Sequence, residues 1–389
     1  MKVLFAGGGT GGHTIPGIAL AQRVQDDGSQ VLFMASSREV DVHLMERYKL
    51  NAICLAVQSP SLNPAVWPRL LIDGAKVYRQ VAQAIDDFAP DAVVGLGGYV
   101  SFLPVLAARM RRLPILLLEQ NVIPGKVTRR LAPLASEVCC QWQETIRYFG
   151  VNVRARVTGN PVRAEILSGS REEAMRQFGL DPAKKTLLVV GGSQAAHALN
   201  VMMIQSAEDL ARELPAVQVI HLAGQADRDM AAAAYQRAGV EAFVAPFLDE
   251  MNLAYRAADF VLGRAGGTTI AELAACGIPS LLVPLPHAAD DHQRHNARSL
   301  AESGAAVVLE QAEFTPRILA GLIRKFFEDD GLARRMHQAS LDRGRPGAAD
   351  EIVAKLKTFV KPSATSVSAR VVNTSGAAPE PEPVAKEQA

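Results

Sequence analysis

The sequence predicts an α/β protein of two Rossmann-like, doubly wound domains that face each other across a cleft. The chain has 389 residues, more than one ordinary hydrophobic core accommodates, so two domains are expected. Nearly continuous apolar strands alternate with helical patterns, which is typical of parallel sheets covered by helices on both faces. The alternation begins again near residue 186, so the second half repeats the architecture of the first.

Five strands are predicted in each half, and helical patterns or glycine turns separate them. In the first half they cover 3–6, 31–35, 92–96, 115–118 and 137–140, and in the second half 187–190, 217–222, 242–245, 260–263 and 280–284. Helical patterns lie between the strands, for example at 16–26 and 265–275.

The predicted boundary between the domains follows Gly159-Asn160-Pro161, because the proline restricts the residue before it to an extended conformation. We expect an N-terminal, acceptor-side domain at 1–161 and a C-terminal domain at 162–344. A final helix at about 345–360 is expected to pack back on the first domain. Residues 362–389 contain few large apolar groups and predict a disordered tail.

Composition excludes several classes of protein. The formal net charge of +1 argues against binding of a nucleic-acid backbone, which usually requires a basic excess. The four cysteines include no CxxC pair, so neither a zinc ribbon nor a thioredoxin-type site is predicted. The apolar run Val3–Ala6 is too short for a signal peptide, and the longer charge-free stretches are broken by glycine, proline or polar residues. We therefore predict no export signal and no membrane span.

Four predicted strands end on a glycine turn that opens a helix: at Gly7–Gly12, Gly95–Gly98, Gly191–Gly192 and Gly266–Gly267. Such turns place unpaired N–H groups and the positive end of a helix at the carboxyl edge of a sheet, which suits phosphate. The first turn lacks the Lys-Ser or Lys-Thr of a Walker A loop. It matches GxGxxG only loosely, and no acid ends the second strand, which weakens an NAD site. The first loop alone leaves a phosphate cradle, a structural turn or the placement of a base open.

Seven motifs give the chain a specific resemblance over about residues 1–360. They are GGTGGH at Gly8–His13, GLGGYVS at Gly95–Ser101, EQN at Glu119–Asn121, GNPVR at Gly159–Arg163, GGSQ at Gly191–Gln194, RAGGTTIAE at Arg264–Glu272 and DDHQ at Asp290–Gln293. With them the chain resembles the MurG family of bacterial cell-wall glycosyltransferases (glycosyltransferase family 28). It departs from the family pattern at Ala195, where glycine is usual, at Leu118, where histidine is common, and at Leu248, where isoleucine is common.

The resemblance implies a GT-B fold and a UDP-GlcNAc-dependent hexosyltransferase. The implied reaction is inverting transfer of N-acetylglucosamine from UDP-N-acetylglucosamine (UDP-GlcNAc) to the 4-hydroxyl of undecaprenyl-diphospho-MurNAc-pentapeptide (lipid I), which gives lipid II for peptidoglycan. Three alternatives stay open: another GT-B glycolipid glycosyltransferase, a UDP-sugar 2-epimerase, or a nucleotide-sugar-binding subunit without an acceptor site. Retention of His13 and of both first-half glycine turns argues against the last.

The resemblance also implies roles for individual residues. His13 is the candidate base, with Glu119 as the competing carboxylate; the ordinary interpretation of His13 is a residue that orients a diphosphate or caps a helix. Glu272 is expected at the ribose, although an acid in a first helical turn also complements the helix dipole. The remaining implied substrate contacts are Thr10, Gly11 and Gly12 at the acceptor diphosphate, Arg163 and Ser193 at phosphate, Leu248 at uracil, Gly267, Thr268, Thr269, Ile270 and Ala271 in the nucleotide pocket, and Asn121 and Gln293 at sugar hydroxyls.

No metal site and no cofactor are expected, because no acidic pair is placed beside these loops to hold a divalent cation. A lipid-linked acceptor implies a peripheral protein on the cytoplasmic side of the inner membrane, with cell-wall synthesis proteins as further candidate partners. Apolar residues flanked by cations can lie in an anionic membrane surface. Here the candidate face contains Leu62, Val66, Trp67, Leu70 and Leu71, with Arg69, Lys76 and Arg79, and two further basic clusters at 109–112 and 126–130. Amphipathic helices packed on a core are the ordinary alternative.

Overall fold

The computed structural model describes residues 1–57, 67–192, 196–313 and 315–360, and of residues 67–71 it describes the backbone only. Two parallel sheets are formed, each covered by helices, so the predicted two-part α/β fold is confirmed. The predicted tail at 362–389 lies outside the described residues, as do Leu62, Val66 and Ser193.

Within the described residues the first sheet has seven strands, all paired in parallel, in the order β3-β2-β1-β4-β5-β6-β7. They are β1 Lys2–Ala6, β2 Gln30–Ser36, β3 Ala52–Leu55, β4 Ala92–Gly95, β5 Ile115–Glu119, β6 Glu137–Cys140 and β7 Ala155–Val157. The connecting helices are α1 Gly11–Asp26, α2 Glu39–Arg47, α3 Trp67–Phe88, α4 Phe102–Met110 and α5 Lys126–Leu131, with 3-10 helices at Tyr99–Ser101, Ala132–Leu134 and Gln143–Tyr148.

The second sheet has six parallel strands among the described residues, in the order β10-β9-β8-β11-β12-β13. They are β8 Lys185–Val190, β9 Val217–Leu222, β10 Ala242–Ala245, β11 Phe260–Gly263, β12 Ser280–Leu282 and β13 Ala306–Val308. Its helices are α6 Arg171–Phe178, α7 His197–Gln205, α8 Ala207–Glu213, α9 Gly224–Ala238, α10 Met251–Ala257, α11 Gly267–Cys276, α12 His292–Glu302, α13 Pro316–Glu328 and α14 Asp330–Arg343, with 3-10 helices at Ala164–Leu167, Ala289–Asp291 and Gln311–Glu313.

Each predicted strand appears, within one or two residues of its expected bounds. The sequence missed β3, β7 and β13, which are three or four residues long and lie at the edges of the two sheets. It also placed the start of the first helix too late, because the last two glycines of the first turn already belong to α1.

A last helix, α15 Ala348–Lys357, returns to the first sheet. Ile352, Val353 and Leu356 are buried in the same apolar cluster as residues of β1 and α1. Two ion pairs, Arg23–Asp350 and Lys357–Asp27, join α15 to α1 and the turn after it.

The exact domain boundaries stay a prediction. Of the helices that the structure describes, none is long and apolar enough to cross a membrane.

Candidate active site

The two sheets present their carboxyl edges to one another, and the first turns of α1 and α11 meet there. Thr268 at the start of α11 donates its hydroxyl to the carbonyl oxygen of Gly12 in α1, at 3.0 Å. A Cβ on Gly267 would lie 2.7 Å from the carbonyl oxygen of Gln120, so only glycine fits there without displacing the opposite domain. Two positive helix ends therefore converge on one region, which favours anionic ligands.

The glycine turn after β1 is held by a buried carboxylate that the sequence analysis did not single out. Asp41 of α2 accepts the backbone N–H of Gly9 at 2.6 Å and the hydroxyl of Thr14 at 2.6 Å, and the hydroxyl of Ser36 also donates to it. A Cβ on Gly8 would lie 2.6 Å from an Asp41 oxygen, and Gly9 has a φ of +91°, so the turn requires glycine. Thr10 and Gly12 remain exposed at its surface, whereas Gly11 is buried.

The imidazole of His13 projects from the first turn of α1 and is half-buried. It lies against Gly97 and Gly98 in the turn after β4, where an added Cβ would come within 3.1 and 3.3 Å of the ring. Its Nδ1 is 3.2 Å from Oε1 of Gln120, a residue of the EQN motif that received no role from the sequence. The two glycine turns of the first domain, one after β1 and one after β4, thus form one pocket around His13.

Glu119 is buried and serves the loop that follows β5. Its Oε1 accepts the backbone N–H of Asn121 at 3.0 Å and its side-chain amide at 3.2 Å, and its Oε2 accepts the N–H of Gly125 at 3.0 Å. The carboxylate therefore braces residues 121–125, and this geometry favours His13 over Glu119 as the base.

Asn121 connects the two domains. Its Oδ1 accepts from the side-chain amide of Asn296 in α12 at 3.0 Å, while Oδ1 of Asn296 accepts the N–H of Val122 at 2.9 Å. Gln293, one turn earlier on α12, is half-buried and accepts the N–H of Leu285 at 3.0 Å. Both amides thus lie at the cleft with protein partners on their oxygens.

The structure joins two residues for which the sequence predicted separate ligands. Arg163 donates from Nη2 to Oε1 of Glu272 at 3.1 Å, and both side chains are less than a tenth exposed. The hydroxyl of Tyr255 donates to Oε2 of Glu272 at 2.9 Å, and Arg163 Nη1 donates to the hydroxyl of Tyr48 from the first domain at 2.9 Å. Burial raises the pKa of Glu272, and the Arg163 charge opposes that shift.

The other predicted contacts are distributed around this pair. Thr269 and Leu248 are half-buried, and Leu248 packs against the second-domain core beside the exposed Phe247. Ile270 is fully buried in that core and Ala271 is nearly fully buried, so their side chains contribute to packing.

In the basic clusters, Lys126 and Arg129 both pair with Asp290 of the DDHQ motif, at 3.8 and 2.9 Å. In the part of the chain that the structure describes, no group of three or more His, Cys, Asp or Glu could hold a metal ion.

Models of two domain families match most of the chain. Residues 3–140 match the glycosyltransferase family 28 N-terminal domain, and residues 186–352 match the glycosyltransferase family 28 C-terminal domain. The chain belongs to glycosyltransferase family 28. It is accordingly an enzyme of the hexosyltransferase class, and its GT-B fold is that of the family.

Family 28 relatives align with this chain over nearly their whole length. A protein of Halothermothrix orenii is 35% identical, covering 93% of this chain and all of the relative, and one of Pelobacter propionicus is 38% identical, covering 92% and 99%. Both are named UDP-N-acetylglucosamine–N-acetylmuramyl-(pentapeptide) pyrophosphoryl-undecaprenol N-acetylglucosamine transferase.

Solved structures with this GT-B architecture include more than one activity. The crystal structure of MurG from Acinetobacter baumannii is 28% identical and superposes with a TM-score of 0.71 over 92% of this chain and 99% of that one. A UDP-GlcNAc 2-epimerase from Neisseria meningitidis superposes with a TM-score of 0.65 over 92% of this chain and all of the epimerase, at 16% identity. The second likeness concerns the fold alone.

Proposed function

We propose that this family 28 enzyme transfers N-acetylglucosamine from UDP-GlcNAc to the 4-hydroxyl of the N-acetylmuramoyl residue of lipid I, with inversion at the anomeric carbon. The product is lipid II, the precursor of peptidoglycan. The observation that carries the proposal is the 35–38% identity, over 99–100% of their length, to relatives named for this transfer. The epimerase alternative rests on a fold likeness at 16% identity.

His13 is the proposed general base. It must take the proton of the attacking hydroxyl, and a neutral imidazole performs this near neutral pH. Its position between the two glycine turns of the first domain, which is the proposed acceptor-side domain, supports this role. The exposed Thr10 and Gly12 beside it are the proposed contacts of the acceptor diphosphate.

The second requirement of an inverting transfer is that the negative charge of the departing UDP be stabilised. The facing N-termini of α1 and α11 would stabilise its negative charge, so the proposal needs neither a metal nor another cofactor. Glu272 would bind the ribose: each carboxylate oxygen already accepts one hydrogen bond and has a second lone pair for a hydroxyl. Arg163 Nε is buried without a partner among the described residues, which leaves one N–H for a phosphate oxygen.

The lipid-linked acceptor requires a membrane, and we place the enzyme peripherally on the cytoplasmic side of the inner membrane. The neighbouring helices α3 and α4 carry Ile72, Phe102 and Met110, which are 59%, 40% and 69% exposed. Arg109 and Arg112 lie at the end of α4, so apolar and cationic groups share this part of the first domain. Such a surface suits an anionic bilayer.

The test is a transfer assay with radiolabelled UDP-GlcNAc and a short-chain lipid I analogue. We expect a labelled lipid-linked disaccharide, and a loss of about 10²–10⁴ in kcat for His13→Ala, the usual contribution of a general base. His43→Ala, an exposed histidine of α2, is the matched control and should leave the rate unchanged. Free UDP-N-acetylmannosamine as the product would instead establish the epimerase, and no product from lipid I would reject the proposed acceptor.

A further inference from the structure

The hydrogen bond between Gln120 and His13 determines which nitrogen of the imidazole can act. Gln120 is 2% exposed, and its side-chain Nε2 lies 3.3 Å from the carbonyl oxygen of Leu96. A carbonyl oxygen only accepts, so the amide nitrogen must face Leu96 and the amide oxygen must face His13. That oxygen is 3.2 Å from Nδ1 of His13.

An amide oxygen cannot donate a hydrogen bond, so the neutral His13 ring must carry its proton on Nδ1. We propose that Gln120 is a positioning residue that holds His13 in the Nδ1–H tautomer and leaves the lone pair on Nε2. Nε2 has no hydrogen-bond partner among the residues that the structure describes, so it is the nitrogen available to a hydroxyl proton. The inference deepens the proposed function, because it rests on His13 as the base.

The surroundings make this orientation hard to change. The backbone oxygen of Gln120 accepts the indole N–H of Trp142 at 3.2 Å, which fixes the residue at the end of β5. Gly97 and Gly98, with φ of +90° and +69°, pack close to the ring, since a Cβ added to Gly97 would lie 3.1 Å from Nδ1. The ring therefore meets the amide oxygen on one edge and presents Nε2 on the other.

The first experiment reads the tautomer directly in the full chain without substrate. Long-range ¹H–¹⁵N correlation spectra of ¹⁵N-histidine-labelled enzyme are recorded at about pH 9, where a free imidazole is neutral. The signals lost in His13→Ala belong to His13. We expect a protonated Nδ1 and an unprotonated Nε2; a proton on Nε2 would overturn the inference whatever the enzyme transfers.

The second experiment removes the acceptor. Gln120→Met keeps the size of the side chain, so we expect the Nδ1–H form to lose its dominance and kcat to fall by about 10- to 100-fold, part of what a general base supplies. KM for UDP-GlcNAc should stay within about twofold, because the change concerns protonation rather than donor binding. Gln120→Glu retains an acceptor for Nδ1–H and should keep the wild-type tautomer.

The matched control is Gln218→Met, which deletes another fully buried amide, one that bonds to Asp181 and Thr186 in the second domain. It should leave both the His13 spectrum and kcat unchanged. An unaltered His13 tautomer in Gln120→Met would overturn the role of Gln120. If that variant does not fold, the wild-type spectrum still tests the inference, because a proton on Nε2 overturns it. An Nδ1–H tautomer in an enzyme that fails the transfer assay would reject the proposed function and leave the tautomer assignment standing.

Discussion

Arg163 and Glu272 form a buried ion pair in which Arg163 Nη2 lies 3.1 Å from Glu272 Oε1 and the two side chains are 6% and 7% exposed. Arg163 follows the segment of chain that crosses between the sheets, and Glu272 lies in α11, so the pair fixes this crossing segment to α11. Removing one partner of a buried pair leaves an uncompensated charge, which costs more than the pair itself contributes.

Glu272→Ala is therefore expected to lower the free energy of unfolding by about 3–5 kcal/mol, measured by urea denaturation. Glu272→Gln keeps the size of the side chain and one acceptor oxygen, which can accept from either Arg163 or Tyr255, and should lose less. Glu241→Ala is the matched control, because its ion pair with Lys184 is about one-third exposed and such pairs contribute about 0–1 kcal/mol. Equal losses for the two alanine variants would contradict this account of the Arg163–Glu272 pair.

Asp41→Asn tests the carboxylate that holds the first glycine turn. The two oxygens of Asp41 accept from three donors, on Gly9, Thr14 and Ser36, whereas an asparagine amide has only one acceptor oxygen. We expect a loss of about 1–3 kcal/mol in the free energy of unfolding and a lower kcat/KM for the acceptor, since His13 follows this turn. The exposed Asp350→Asn should change neither by a measurable amount.

The sequence predicted the interior of both sheets because those strands are continuous apolar runs. It missed the edge strands β3, β7 and β13, in which most residues are half-buried or exposed, so no continuous apolar run marks them.

At the site, the glycine turns and the residues after them were predictable because parallel strands bring their carboxyl ends to one edge. Their mutual contacts were not. Asp41 looks like any first-turn acid of a helix, and Arg163 pairs with a carboxylate 109 positions away only once the domains meet. Gln120 belongs to the EQN motif, but its role depends on which atom of its amide faces His13, which the sequence does not show.

Gly267→Ala probes the contact between the first turn of α11 and the first domain. The new methyl group would lie 2.7 Å from the carbonyl oxygen of Gln120, which the indole of Trp142 already holds. We expect about 1–3 kcal/mol of destabilisation and a kcat/KM for UDP-GlcNAc reduced by roughly tenfold or more. Gly321→Ala in α13 meets nothing within 4 Å and should instead stabilise the enzyme by about 0.5–1 kcal/mol. Normal kinetics in Gly267→Ala would show that this close approach is dispensable.

The buried His221 is expected to make the stability of the second domain sensitive to acid. Burial lowers the pKa of His221 to about 4, against the opposing charge of Asp227, while Nε2 faces Asn200 and Nδ1 faces Tyr235. The unfolded chain takes up this proton near the ordinary pKa of about 6.5 and the folded chain does not, so stability is present at neutral pH and is lost as the pH falls towards 4.

The loss from this one group is about 2 kcal/mol between pH 7 and pH 5. Urea unfolding at both pH values should show that loss in the wild type and a correspondingly smaller one in His221→Gln, which has no titrating ring. Both proteins contain the other histidines, so the difference between their two pH dependences removes the contribution of those residues. The same pH dependence in both would reject His221 as its source.

Substitutions of Ile72 and Met110 test the proposed membrane-facing surface of the first domain. Both are exposed apolar side chains on adjacent helices, and burying one such group removes about 1.5–3 kcal/mol of unfavourable hydration. Ile72→Glu with Met110→Glu should therefore lower the partition coefficient onto anionic vesicles by tenfold or more in a sedimentation assay. Ile318→Glu, on the exposed side of α13, is the control for added negative charge and should reduce binding far less. Equal effects from the two proteins would place the docking surface elsewhere than α3 and α4.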